Sequence, residues 1–126
     1  MFKSCYKPIR AALVSALTRE GVHVGGTAGY PRVEPHSFIE NTPQDKGDAV
    51  RVLNCVVESI SATSSTEAAQ INEANVALLG AFNYADTEFR VFAVVPTQLQ
   101  NLTETSDPQK ILYRVLQTVD IYVQQL

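Results

Sequence analysis

The chain has no tryptophan, one methionine and two cysteines among 126 residues. Without tryptophan, and with no basic–aromatic platform, it lacks the stacking surface that holds single-stranded nucleic acid. Cys5 and Cys55 stand far apart with no paired spacing. In a chain without a signal peptide they read as free thiols rather than as a disulfide framework. Cys55 lies within a strongly apolar stretch, which suits a small buried side chain. Only two histidines are present, and neither His23 nor His36 has a cysteine or another histidine close by. A metal site wants further ligands at short spacing, so no metal is expected. No apolar run approaches the ~18 residues that span a bilayer. The start, Met1-Phe2-Lys3-Ser4-Cys5-Tyr6-Lys7-Pro8, lacks the apolar stretch of a signal peptide. Nothing addresses the chain to secretion or to a membrane.

Catalytic signatures are equally scarce. Gly25-Gly26-Thr27-Ala28-Gly29 lacks the Gly-Lys-Ser/Thr ending of a phosphate-binding loop and reads as a flexible turn. Glu34 and Glu40 fall in a loop, and Asp45 and Asp48 flank Gly47; such acids are expected at a solvated tip. No local motif supports either cysteine as a nucleophile. The expectation is a protein with no catalytic residue, no cofactor and no metal, hence not an enzyme.

Net charge is −3, unevenly placed. Residues 1–32 carry Lys3, Lys7, Arg10, Arg19 and Arg32 against Glu20 alone, a balance of +4, and residues 33–126 balance at −7. An acidic majority argues against a nucleic-acid-binding surface. A basic segment beside an acidic remainder suits a particle whose unlike faces meet on neighbouring copies, or equally a solvated N-terminal helix.

What is present is periodicity. Pro8 to Arg19 predicts a helix with Ile9, Ala12, Leu13, Ala16 and Leu17 on one face and Gly21 as its stop. Val22-His23-Val24 is a short extended piece. Thr27 to Asp48 holds Pro31, Pro35 and Pro43 and few periodic apolar residues; a stretch this long reads as an extended interaction loop, with Ser37-Phe38-Ile39-Glu40 as a short strand inside it. Tyr30, Arg32 and Phe38 are residue types that anchor interfaces. With Arg10 and Arg19 they are the candidate contacts to a partner subunit. Ala49 to Ser61 predicts a strand covered in its middle on both faces. Ser64 with Glu67 is a capping box opening a helix to about Phe82 that buries Ala68, Ile71, Leu78, Leu79 and Phe82. Phe89 to Val95 predicts a strand stopped by Pro96, and Thr97 to Gln109 a polar connection.

Lys110 to Gln124 alternates most clearly. Ile111, Tyr113, Val115, Gln117, Val119, Ile121 and Val123 take one parity, and mostly polar residues the other. A period of two predicts a strand with Tyr113, Val115, Val119 and Ile121 towards the core; Ile111, Leu112, Val115, Leu116 and Val119 would also form a helical stripe. Strands average about 5–6 residues, so one this long must bend, bulge or reach beyond its own core. Together these elements give one α+β domain over residues 1–126: a mainly antiparallel sheet with two helices packed on one face and a long C-terminal strand.

This order of elements resembles the tail terminator (tail completion) proteins of long-tailed bacteriophages. The stretch Leu102-Thr103-Glu104-Thr105-Ser106-Asp107-Pro108 before Ile111-Leu112-Tyr113-Arg114 is similar to the polar, acidic loop that precedes an alternating terminal strand in that family. The resemblance implies a structural virion protein, assembled in the host cytoplasm: a homo-oligomeric, hexameric ring that caps the tail tube and joins it to the head-proximal connector. Its partners would be the tail tube protein and a connector or neck protein. DNA would pass through the lumen without specific binding, which a neutral or acidic wall favours. No individual functional residue carries over. Another neck or head-completion protein of the same virion, or a small cellular α+β ligand-binding domain or enzyme, are the other classes. A deep pocket in the monomer would favour the last.

Overall fold

The structure, a computed structural model, describes residues 3–26, 29–42, 49–107 and 110–126. Its elements run α1 (Tyr6–Leu17), β1 (His23–Val24), β2 (Arg32–Asn41), β3 (Val50–Ser61), α2 (Ser65–Gly80), β4 (Phe89–Asp107) and β5 (Lys110–Gln125). The strands form one sheet in the order β1-β2-β3-β5-β4, in which only the short β1–β2 pair is parallel. This is the α+β architecture that the periodicities predict.

The alternation of β3 and β5 explains where the core sits. Leu53 pairs with Ile121, Cys55 with Val119 and Arg51 with Val123, so these residues share one face of the sheet. In an antiparallel ladder directly opposed residues point the same way. Ile9, Leu13 and Leu17 of α1 and Ile71 and Leu79 of α2 close over that face in a single cluster with Val33, Leu53, Cys55, Val57, Val119, Ile121 and Val123. Both helices therefore lie on the same side. Tyr113 shares the core parity but is half-buried, because its partner Ser61 is the last residue of β3.

The helix ends are held by different means. Ser64 Oγ accepts from Glu67 N–H at 3.0 Å, as the capping pattern requires. The Glu67 carboxylate does not return to Ser64; it accepts from Ser61 Oγ at 2.6 Å, and Ser61 Oγ in turn accepts from Ser64 N–H at 3.2 Å. The last residue of β3 thus stands between the two halves of the box. α1 has no side-chain cap of its own. Instead Glu40, from β2, accepts from Cys5 N–H at 2.9 Å and from Ser4 Oγ at 2.7 Å. A carboxylate at a helix N-terminus also meets the positive end of the helix dipole.

Three expectations are corrected. Residues 32–41 are not loop but the ten-residue strand β2; residues 27–28 and 43–48 of the expected loop lie outside the described residues. The prolines misdirect the reading, because Pro35 occupies a strand with a free edge on one side, where a missing N–H breaks no ladder. For the same reason Pro96 does not stop β4. It pairs with Val119, the register shifts just after it and again past Glu104, and the strand runs on to Asp107. Thr97–Thr105 shows no apolar alternation because it is exposed almost throughout, which leaves no pattern to read. Finally, the middle of β3 is covered on the helix side only. Val52 and Val56 point the other way and are half-buried, and no described element packs over them.

Val119 is fully buried in the cluster between the helices and the sheet. Val119→Asp is expected to cost about 3–5 kcal/mol, since it places an unpaired carboxylate in the core. Urea denaturation followed by circular dichroism would measure it. A loss below 1 kcal/mol, on the order of a surface change, would contradict the packing described.

Candidate functional site

Two surfaces stand out: a break in β2 and the far edge of the sheet. β2 pairs in step with β3 from Arg32↔Ile60 to His36↔Val56, then resumes at Ile39↔Asn54. One extra residue is accommodated there, and Ser37 takes it up at φ +58°, the left-handed region that non-glycine residues seldom adopt. Before the bulge odd-numbered residues face the helices, so Val33 and Pro35 are buried. After it the even ones do. Phe38 then stacks edge-on against Tyr6 of α1 at 5.1 Å, and Glu40 turns inward to cap α1.

The bulge also sets two consecutive polar side chains together, which an unbroken strand would send to opposite faces. Ser37 Oγ lies 2.8 Å from His36 Nδ1, and His36 Nε2 lies 2.7 Å from Glu58 Oε1. Glu58 is buried although it sits on the sheet face away from the helices. Its other oxygen accepts from the Arg114 guanidinium at 2.6 Å, and Arg114 also donates to Glu104 at 2.8 Å. Burial alone would lower the pKa of Arg114, but hydrogen bonds and charge from Glu58 and Glu104 hold it above the ordinary value. A cavity of about 400 Å³ opens beside the bulge, lined by Tyr6, Arg10, Pro35, His36, Ser37 and Phe38.

The five candidate interface residues do not form one surface. Arg10 and Phe38 meet at this cavity. Tyr30 and Arg32 form a separate pair, the guanidinium 4.7 Å from the ring centroid, with Lys110 Nζ 5.7 Å from the same ring. Arg32 also pairs with Glu34 at 3.2 Å. Arg19 is committed within the chain: it donates to the carbonyls of Leu17 and Ile71, tying the end of α1 to α2, and desolvation lowers its pKa. The reading of residue types missed His36, Ser37 and Glu58 as a unit. A signal was present in Glu58, the one acid in β3, which needs a partner if buried.

The other surface is β4. It is the last strand of the sheet, and the segment 84–86 covers its outer edge only as far as Val91. From Val91 to Thr103 it carries no charged residue. Phe92, Val95, Leu99 and Leu102 are exposed there, Leu99 by 54%. Edge strands are ordinarily guarded by charges or short length. This one has two bulges and Pro96 near its start, and nothing comparable between Gln98 and Thr103.

Both cysteines are free and buried. Among the described residues no three His, Cys, Asp or Glu side chains gather as a metal site, and no helix is long and apolar enough to cross a membrane. Compared with known proteins, the chain matches no protein-family model and no curated sequence.

Ser37→Val is expected to lower stability by about 1–2 kcal/mol, because a β-branched residue fits the left-handed region poorly. Ser37→Gly should change it far less. Equal effects in chemical denaturation would show that the backbone strain is not felt.

Burial, with the Glu40 hydrogen bond and charge behind it, pushes the Cys5 thiol up to about 12. Burial and the charge of Asp120 do the same for Cys55, also to about 12. Unfolded thiols ionise near 9.0. As pH rises through that value the unfolded chain loses protons that the folded chain keeps, so this contribution is whole below about pH 9 and shrinks towards pH 12. Unfolding midpoints at pH 8 and pH 10 should therefore differ less in Cys55→Ala than in the native chain. Identical pH slopes would refute the assignment.

Proposed function

We propose that this protein is a structural subunit of a phage virion: a tail terminator that forms a sixfold ring at the head-proximal end of the tail tube. The observation that carries the reading is β4, where thirteen uncharged residues run from Val91 to Thr103, with Phe92, Val95, Leu99 and Leu102 exposed, on a strand paired with β5 on one side and joined by no further strand on the other. Such an edge is a template for pairing, and a chain that keeps it exposed aggregates unless a specific neighbour covers it. A covering neighbour of the same kind gives a homo-oligomer. The likeness of element order to tail terminators supplies the kind of assembly.

Two further features support the reading. The −7 balance of residues 33–126 suits a lumen through which DNA slides without being held. The tail tube protein on one side and a connector or neck protein on the other are the partners the role demands. Arg19 is spent within the fold, so the basic face of the interface falls to the remaining groups of residues 1–32.

The test is the particle itself. Light scattering and class averages of the purified protein, alone and with tail tube protein, should give a closed ring, and Leu99→Lys with Leu102→Lys should reduce it to monomers of unchanged circular dichroism. Both side chains are exposed, so folding is not at stake. A chain that stays monomeric at high concentration in both settings overturns the proposal, as does a ring indifferent to the double substitution.

A further inference from the structure

With the imidazole neutral, the contact chain Ser37–His36–Glu58 has one direction. A carboxylate only accepts hydrogen bonds, and Glu58 already accepts from Arg114. The hydrogen between Glu58 and His36 therefore belongs to the imidazole, on Nε2, at an oxygen 2.7 Å away. In the neutral ring this leaves the lone pair on Nδ1. Ser37 Oγ sits 2.8 Å from that nitrogen, so its hydroxyl donates. A serine donating to an imidazole that a carboxylate orients from behind is the arrangement that activates a hydroxyl for attack.

A purely structural bulge would account for the backbone at position 37 but does not call for a serine there. Glycine or asparagine adopts the left-handed conformation at lower cost, yet a serine occupies it at φ +58°. Strain of this kind collects at functional sites. Ser37 is exposed and lines the cavity, and Arg10, a fixed positive charge, lines it too, with Tyr6, Pro35 and Phe38.

We propose that Ser37 is a nucleophile, with His36 as its base and Glu58 as the group that orients the ring, and that it takes the acyl group of small apolar carboxylic esters. The Ser37 Oγ–carbon bond forms at the ester carbonyl as the hydroxyl proton passes to His36 Nδ1. The carbonyl oxygen goes negative in a cavity that Arg10 makes positive. The carbon–oxygen bond to the alcohol then breaks, and the alcohol leaves with the proton from Nδ1. Water, deprotonated by the same nitrogen, attacks the acyl-serine and releases the acid and the free hydroxyl. This assignment is independent of the ring, since every group in it comes from one chain.

An alkyl fluorophosphonate and p-nitrophenyl acetate test it on the full chain. Intact mass should show a single phosphonyl adduct, mapped to Ser37. It should be absent from Ser37→Ala, and on the native chain it should form at least about 100-fold faster than on His36→Gln, the scale of general-base assistance. p-Nitrophenyl acetate should give a burst of p-nitrophenol of one equivalent or less that Ser37→Ala lacks. His36→Gln should slow both reactions by a similar factor, with its fold checked by circular dichroism; His36→Asn replaces it if the glutamine variant melts. No adduct on the native chain above the Ser37→Ala background overturns the proposal. So does an adduct at Ser37 whose rate is the same without the imidazole.

Discussion

The extra residue in β2 is the constraint on which most of this structure turns. A strand has a period of two, so a single inserted residue exchanges its faces. Val33 and Pro35 pack under the helices before Ser37, and Phe38 and Glu40 do so after it. Without the bulge, Glu40 would face outward and α1 would lose the carboxylate that caps it. Phe38 would leave Tyr6, and His36 would lose the hydroxyl beside its ring. One strained residue therefore serves the docking of α1, the cavity wall and the polar chain at once. Its cost is a few kcal/mol at most, set against a helix whose three inward residues are fully buried.

Glu40 matters for a second reason. Arg51 has no exposed surface, although it shares the helix-facing side with Leu53 and Cys55. A buried guanidinium is tolerable only where charge and hydrogen-bond acceptors meet it. Glu40 Oε2 lies 4.0 Å from Arg51 Nε, Gln125 Oε1 accepts from the same side chain, and the Val50 carbonyl lies at 3.5 Å. This polar knot joins the start of α1, the end of β2, the start of β3 and the end of β5. Both ends of the chain are thereby fastened to the same end of the sheet. A hydrophobic pair there would pack as well, but would not fix which strand ends meet. Hydrogen-bond geometry does.

Much of this was legible in the amino-acid sequence, and the failures have physical causes. The two helices, β3 and β5 were readable because each has one face in the core and the other towards water or a half-covered surface, which is what periodicity reports. Val115, Val119 and Ile121 are buried as their parity predicts. β2 and the second half of β4 were not readable because both lie at sheet edges, where proline is tolerated and exposure erases alternation. At the site, Arg10 and Phe38 were recognisable as residue types that make contacts, but their meeting at one cavity depends on the bulge, and no pattern in the sequence marks a bulge at Ser37. The link between His36 and Glu58 spans two strands and rests on their register. Register is a tertiary fact.

The two edges of the sheet are unlike, and this limits how copies could join in the ring we propose. The β2 edge is obstructed: β1 covers Arg32 and Val33, Pro35 offers no N–H, and the bulge at Ser37 breaks the line of donors. A continuous strand cannot be added there. Two β4 edges could pair with each other, but that contact is twofold and closes at two copies. A ring requires the β4 edge to meet some other surface. The sheet face away from the helices is such a surface: Val52, Val56, Leu116 and Tyr122 are half-buried there, and neither described helix packs on it. Phe92 already leans over it against Tyr122, with ring centroids 6.0 Å apart. An edge laid across a neighbour's face is a heterologous contact, and repeated with a fixed rotation it closes into a ring. The unguarded edge and the uncovered face would then each bury what the other leaves exposed.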